Sequence, residues 1–384
     1  ITMVTNGAAI FPAGNATSAT ITNSNITAGT YAVGTNARTK NGDLVYSYNI
    51  NVTIKNSTLS TTGYNNNDGD TCTVMINVPG TLNIENSTII GSRQAVVARG
   101  GVTSIADSTI TLTSPYNGSD KNNYDTTTWG SGNNLPMAAL VVGNHADAYK
   151  YPATCTLSNT TVTAPDGYKT VYTYGMESAE EIDRTVTFSA DSQSNVGTIV
   201  ADGIANVKAF SAEDGQLYTF ADAMAQNKSN LTLIHNLSIP KPLLVTGNVD
   251  LDLGGKTLSR KGGMLLDIYG NVTIQNGTVA MTDTTGSGAD IWVNQTANLT
   301  VEKSATISAP SNSFAIAYYQ DCTAAEVTLK GTLTGEGSGI TVNGNIKDKD
   351  SSNQNTSNKL ILDGTTINVK GHGIYQAGYA STTF

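Results

Sequence analysis

The chain has 384 residues, more than one hydrophobic core usually serves, so one long solenoid or two domains are the starting options. Only 13% of the residues are charged and the net charge is -9 at pH 7, which argues against a nucleic-acid partner, where a basic stripe is expected. No apolar run reaches the roughly 18 residues that a membrane-spanning helix needs.

The chain opens at Ile1 with no charged and apolar leader, so a signal or upstream region is expected to have been removed already. A short phrase then recurs: apolar, any, apolar, any, Asn/Gly/Asp, any, Ser/Thr, apolar. It is found at residues 20–27, 52–60, 82–91, 104–111 and 156–163, and again at 251–259, 272–280, 299–308, 327–335 and 360–369. Starts recur roughly every 20 to 35 residues, a solenoid period. Inside each copy the apolar residues alternate, which describes a strand, a tight polar turn and a second strand. Third strands are expected between copies, at 31–33, 95–98, 139–142 and 171–174, then at 264–266, 291–293, 314–317, 340–342 and 373–375.

Three short strands per coil predict an all-β fold, a right-handed parallel β-helix. Coils stack about 4.8 Å apart, with Val, Ile and Leu forming inward columns. Asn56, Asn86, Asp107 and Asn159 fall at the bend, where Asn tolerates the left-handed conformation and can bond its neighbour on the next coil. At Gly255 and Gly331 glycine is expected to supply the same backbone freedom. The many Asn-x-Ser/Thr triplets, among them Asn276 and Asn298, read as part of this packing code.

The charge-richer stretch 176–204 suits a last coil and linker. The clearest helix former lies near 219–227, with Thr219 as N-cap and Asp222 in the first turn. A helix there would cover the open end of a second stack. The expected division is therefore 1–207 and 208–384, two consecutive β-helical modules, the second with an N-terminal capping helix. The chain stops soon after the strand expected at 373–375, so it is expected to be part of something longer.

These residues resemble the pectin-lyase-like β-helix superfamily in its low-complexity bacterial surface-protein form. The likeness is more specific over 207–384, where 218–225, 231–234 and 249–258 look like the opening of β-helix modules of gut bacterial surface proteins. The resemblance implies an extracellular or cell-surface location and contact with a glycan or a host or cell-surface polysaccharide. Its enzymes cleave acidic polysaccharides with converging carboxylates, or with calcium and an arginine base.

That chemistry is hard to find here. Gly371-His372-Gly373 matches a short hydrolase motif without its companions and reads as a turn. Arg93 and Arg99 lie in or beside a strand, with Asp107 one coil later, and Asn67, Asp68 and Asp70 form an acidic loop without full calcium spacing. His145 and Asp147 have no identifiable nucleophile opposite. No catalytic or metal-ligating set is identified and no cofactor is implied. Cys72, Cys155 and Cys322 lack metal spacing and read as buried thiols, with a Cys72–Cys155 bridge as the alternative.

Aromatics fall in three groups: Tyr116, Tyr124 and Trp129 in the irregular stretch 114–136; Tyr149, Tyr151, Tyr168, Tyr172 and Tyr174; and Trp292 with Tyr318 and Tyr319. They could form a face that stacks on sugars or could pack under inserted loops. Tyr116, Tyr124, Trp129, Tyr172 and Tyr174 are taken as the candidate ligand-binding residues. Three functional readings stay open: a non-catalytic surface protein for adhesion or carbohydrate contact, a lyase or hydrolase with a diverged site, and a purely structural stalk.

Overall fold

The computed structural model describes residues 1–3, 7–13, 16–35, 39–40, 43–44, 49–62, 71–113, 137–143, 151–175, 185–282, 288–319, 321–343 and 357–377. The fold is an all-β parallel solenoid, a β-helix, in two compact units, Ile1–Lys208 and Ala209–Phe384.

In the first unit most coils supply one strand to each of three parallel series. A seven-stranded sheet begins with Thr17–Thr22, Ile50–Lys55 and Gly80–Glu85. A five-stranded sheet begins with Asn25–Ala28, Thr58–Thr61 and Thr88–Gly91. A third series runs through Tyr31–Gly34, Val74–Ile76, Val96–Ala98, Ala138–Gly143, Lys169–Gly175 and Thr198–Gly203. Register aligns the inward residues into columns. Ile21, Ile54, Ile84, Ile105 and Leu157 form one, and Ile26, Leu59, Ile89, Ile110 and Val162 another. All ten are buried, so side-chain alternation and coil stacking together build the core.

The bend between the first two sheets carries two polar ladders. Asn23, Asn56, Asn86, Asp107 and Asn159 all have φ between 44° and 49°, the left-handed region that Asn and Asp tolerate best. Asn86 Nδ2 donates to Asn56 Oδ1 at 2.8 Å, and Asn159 Nδ2 to Asp107 Oδ1 at 2.7 Å. The following residue forms the second ladder. Ser24, Ser57 and Ser87 each donate a backbone N–H to the hydroxyl of Ser57, Ser87 and Ser108 on the next coil, always at 3.1 Å. Each of those hydroxyls donates in turn to the carbonyl two residues upstream, as Ser87 does to Glu85 at 2.8 Å. A free position in the sequence phrase is thus a structural one: the hydroxyl satisfies a buried amide that the bend takes out of the sheet.

The second unit opens with antiparallel pairing of Phe210–Ala212 to Leu217–Tyr218 and to Asn230–Leu233. Between them lies the helix Phe220–Ala225, with the Asp222 amide donating to Thr219 Oγ1 at 3.1 Å. Phe220 and Ala223 are buried, and the Phe220 ring meets Phe210 edge-on at 5.4 Å. A parallel stack follows. Two strands, Asn248–Arg260 and Asn271–Met281, run through the bend that later coils break, as at Asn298–Val301 and Ala305–Ala309. Gly255 sits in that bend at φ 73° as expected. Gly331 does not: its φ is outside the left-handed region, and glycine is needed there because a Cβ would fall 2.5 Å from the Ala305 carbonyl oxygen. A six-stranded parallel sheet completes the unit, from Leu243–Val245 through Leu266–Ile268, Ala289–Val293, Phe314–Tyr318 and Ser338–Asn343 to Ile374–Ala377.

Candidate functional site

The six-stranded sheet of the second unit carries a small grid of side chains on its outer face. Leu266, Ile291 and Ile316 pair across adjacent coils and point inward, as do Ile268, Val293 and Tyr318. Alternation puts the residues between and after them outside. Leu244, Asp267, Trp292 and Ala317 pair in one outward column. The next column is Tyr269, Asn294 and Tyr319, whose backbone amides extend the ladder by donating to Val245, Ile268 and Val293 at 2.8–2.9 Å.

Met264, Asp267, Tyr269, Trp292, Asn294 and Tyr319 line a pocket of about 210 Å³. Trp292 and Tyr319 meet at 69° with centroids 5.2 Å apart, so their rings form two walls of a corner. Across from Trp292 on the next coil stands Ala317, which is buried. Tyr269 is 41% exposed and Leu244 52%. Asn294, almost fully buried, donates from Nδ2 to Asp267 Oδ1 at 2.7 Å and to the Ile268 carbonyl at 3.1 Å, which fixes the carboxylate. No other hydrogen bond to Asp267 is made among the described residues. Burial first, and then the negative charges of Asp267 and Asp321, push the Tyr269 hydroxyl above its ordinary value.

The predicted candidates fall elsewhere. Tyr116, Tyr124 and Trp129 lie outside the described residues, as do Tyr149, His145, Asp147, Asn67, Asp68 and Asp70. Tyr172 is only 6% exposed and packs with Cys72, Met75, Val97, Ala138 and Val141. Its hydroxyl donates to Asp202 Oδ2 at 2.7 Å, and burial, then Asp202, raises its pKa. Tyr174 is half-buried against the same cluster, its ring roughly parallel to that of Tyr172 at 6.4 Å. Of the third group, Trp292 and Tyr319 come together in the pocket, while Tyr318 is turned inward and its hydroxyl bonds to the Lys359 carbonyl.

Arg93 and Arg99 are 2% and 1% exposed. His372 is in a turn, its ring over that of Tyr375 at 5.3 Å. The three cysteines are free and buried. On the seven-stranded sheet an open depression of about 410 Å³ is lined by polar side chains including Lys55, Asn83, Glu85 and Asp107. Lys55 and Glu85 pair there at 2.6 Å, both about half exposed, which is worth little in water. No group of three or more His, Cys, Asp or Glu suited to a metal occurs among the described residues.

Fold and pocket together define a parallel β-solenoid with an aromatic recess on one sheet. Comparisons with protein-family models, with curated proteins and with solved structures find no match.

Proposed function

We propose that the protein is a non-catalytic extracellular β-helix of the pectin-lyase-like kind that contacts carbohydrate at the cell surface. The observation that carries this reading is the recess of Trp292, Tyr319 and Tyr269 around Asp267 and Asn294. Partly exposed rings on a rigid sheet offer flat apolar faces for a pyranose, and a fixed carboxylate and amide offer hydrogen bonds for its hydroxyls. At about 210 Å³ the recess falls below the range of roughly 300–1,000 Å³ for drug-sized ligands, so one sugar ring or a chain end is the unit held. Of the arginines considered for the lyase alternative, Arg93 and Arg99 are buried.

The test is a glycan array with the full chain and its Trp292→Ala variant, run beside reducing-sugar and unsaturated-product assays on acidic polysaccharides. Glycan binding lost in the variant supports the reading. Turnover of any polysaccharide, or no glycan bound at all, sinks it.

A further inference from the structure

The recess has a sign as well as a shape. Its rings turn electron-rich faces into a corner, Asp267 adds a carboxylate, and none of the six lining residues is cationic. Arg260, the one arginine in the sequence of this unit, is engaged by three backbone carbonyls, those of Pro240, Gly262 and Met264, at 2.6–3.1 Å. A second carboxylate, Asp321, acts on Tyr269 alongside Asp267, and its Oδ1 is buried without a hydrogen bond. An anionic sugar would set its charge against the Asp267 carboxylate with no cation among the lining residues, a like-charge juxtaposition that disfavours it. A neutral sugar would leave the second oxygen of Asp267 with only hydroxyl donors.

We propose that the recess selects a cationic amino sugar, a hexosamine whose nitrogen is a free ammonium, with the ring against Trp292 and the ammonium between Asp267 and the Trp292–Tyr319 corner. This rests on the carbohydrate-contact reading and names the class of sugar. An ammonium satisfies both features at once: it donates to the open oxygen of Asp267 and is attracted by the aromatic faces. Acetylation of the nitrogen removes the charge and adds bulk, so the N-acetylated sugar loses both interactions. Asn294 acts as a positioning residue that holds Asp267 in place from beneath.

The experiment is calorimetric titration of the full chain with a glucosamine tetramer and with its fully N-acetylated counterpart. Tetramethylammonium serves as a cation without a sugar. The expected result is at least tenfold tighter binding of the free-amine tetramer at pH 6. That preference should shrink as the amines lose their protons at higher pH and as salt is raised. Asp267→Asn should lower affinity for the free-amine tetramer about tenfold and remove its preference over the N-acetylated one. The salt and pH titrations on the unaltered protein keep the test valid if that variant folds poorly. Equal affinity for the two tetramers overturns the cation assignment and leaves the carbohydrate reading standing. Binding of tetramethylammonium with neither tetramer bound overturns the amino-sugar assignment by removing the reading beneath it.

Discussion

Asp290 offers the sharpest test of how the second unit handles charge. It is 0% exposed, and among the described residues neither carboxylate oxygen makes a well-formed hydrogen bond. Burial raises its pKa from 3.8 to about 8, opposed only weakly by the Met281 backbone amide. Between those two pH values the unfolded chain gives up the proton while the folded one keeps it. The unfolded state then binds fewer protons, so stability falls as pH rises from about 4 to about 8 and levels off above that. At about 1.36 kcal/mol per pH unit the full span is about 6 kcal/mol, an upper limit that local relaxation reduces. Asp290→Asn keeps the shape and removes the proton, so the variant should match the parent near pH 4 and exceed it by several kcal/mol at pH 8. Trp292 lies two residues away, and in a Trp129→Phe background its fluorescence reports urea unfolding of this region alone. Midpoints that run parallel for both proteins from pH 4.5 to 8.5 would refute the reasoning, because Asp290 would then be ionised and compensated in the fold.

Three further outcomes follow from other positions. Asn86→Ala should cost about 2–3 kcal/mol, from the left-handed φ of 46° and the lost bond to Asn56, whereas Asn86→Gly should cost about 1 kcal/mol; thermal unfolding of the pair separates the two contributions. Thr103 is 1% exposed in an inward column with its hydroxyl unbonded, so the isosteric Thr103→Val should raise stability by about 1–3 kcal/mol in denaturant titration. Burial pushes the Cys155 and Cys322 thiols up to about 12, so a thiol reagent at neutral pH should label neither until the chain unfolds, as mass spectrometry of the labelled peptides would show.

Much of the solenoid could be read in advance because two of its rules are local. Alternation every second residue is written along the chain, and only Asn, Asp or Gly sits comfortably where Asn56 and Asn86 do. The serine ladder was not legible. Ser57 and Ser87 occupy a position that looks variable in the repeat, and their role depends on a backbone amide one coil away. The aromatic recess was half legible. Trp292 and Tyr319 stood out by type, but Tyr269 and Asp267 are joined to them only through register between coils, which no short window contains. Tyr172 misleads for a related reason: the strand Ala138–Gly143 beside it is buried on both faces, so the outward side of that sheet is not solvent.

The two ladders of the first unit also bear on how such a chain can change length. The side-chain amides donate from a later coil to an earlier one, while the backbone amides donate from an earlier coil to a later hydroxyl. In the serine ladder each interior coil therefore offers its two neighbours the same pair of edges. Removing residues 57–86 would join Asn56 to Ser87 and keep the serine ladder continuous, with Ser24 facing Ser87 and Ser87 facing Ser108, while Asn56 would lose its side-chain donor because Asp107 has no N–H to give. For the serine ladder the bend works as a splice point at which a coil can be lost or duplicated without new chemistry. At Asp191 the pattern stops: a carboxylate accepts the Asn159 amide and both the amide and hydroxyl of Ser194, and it has no side-chain N–H to pass on.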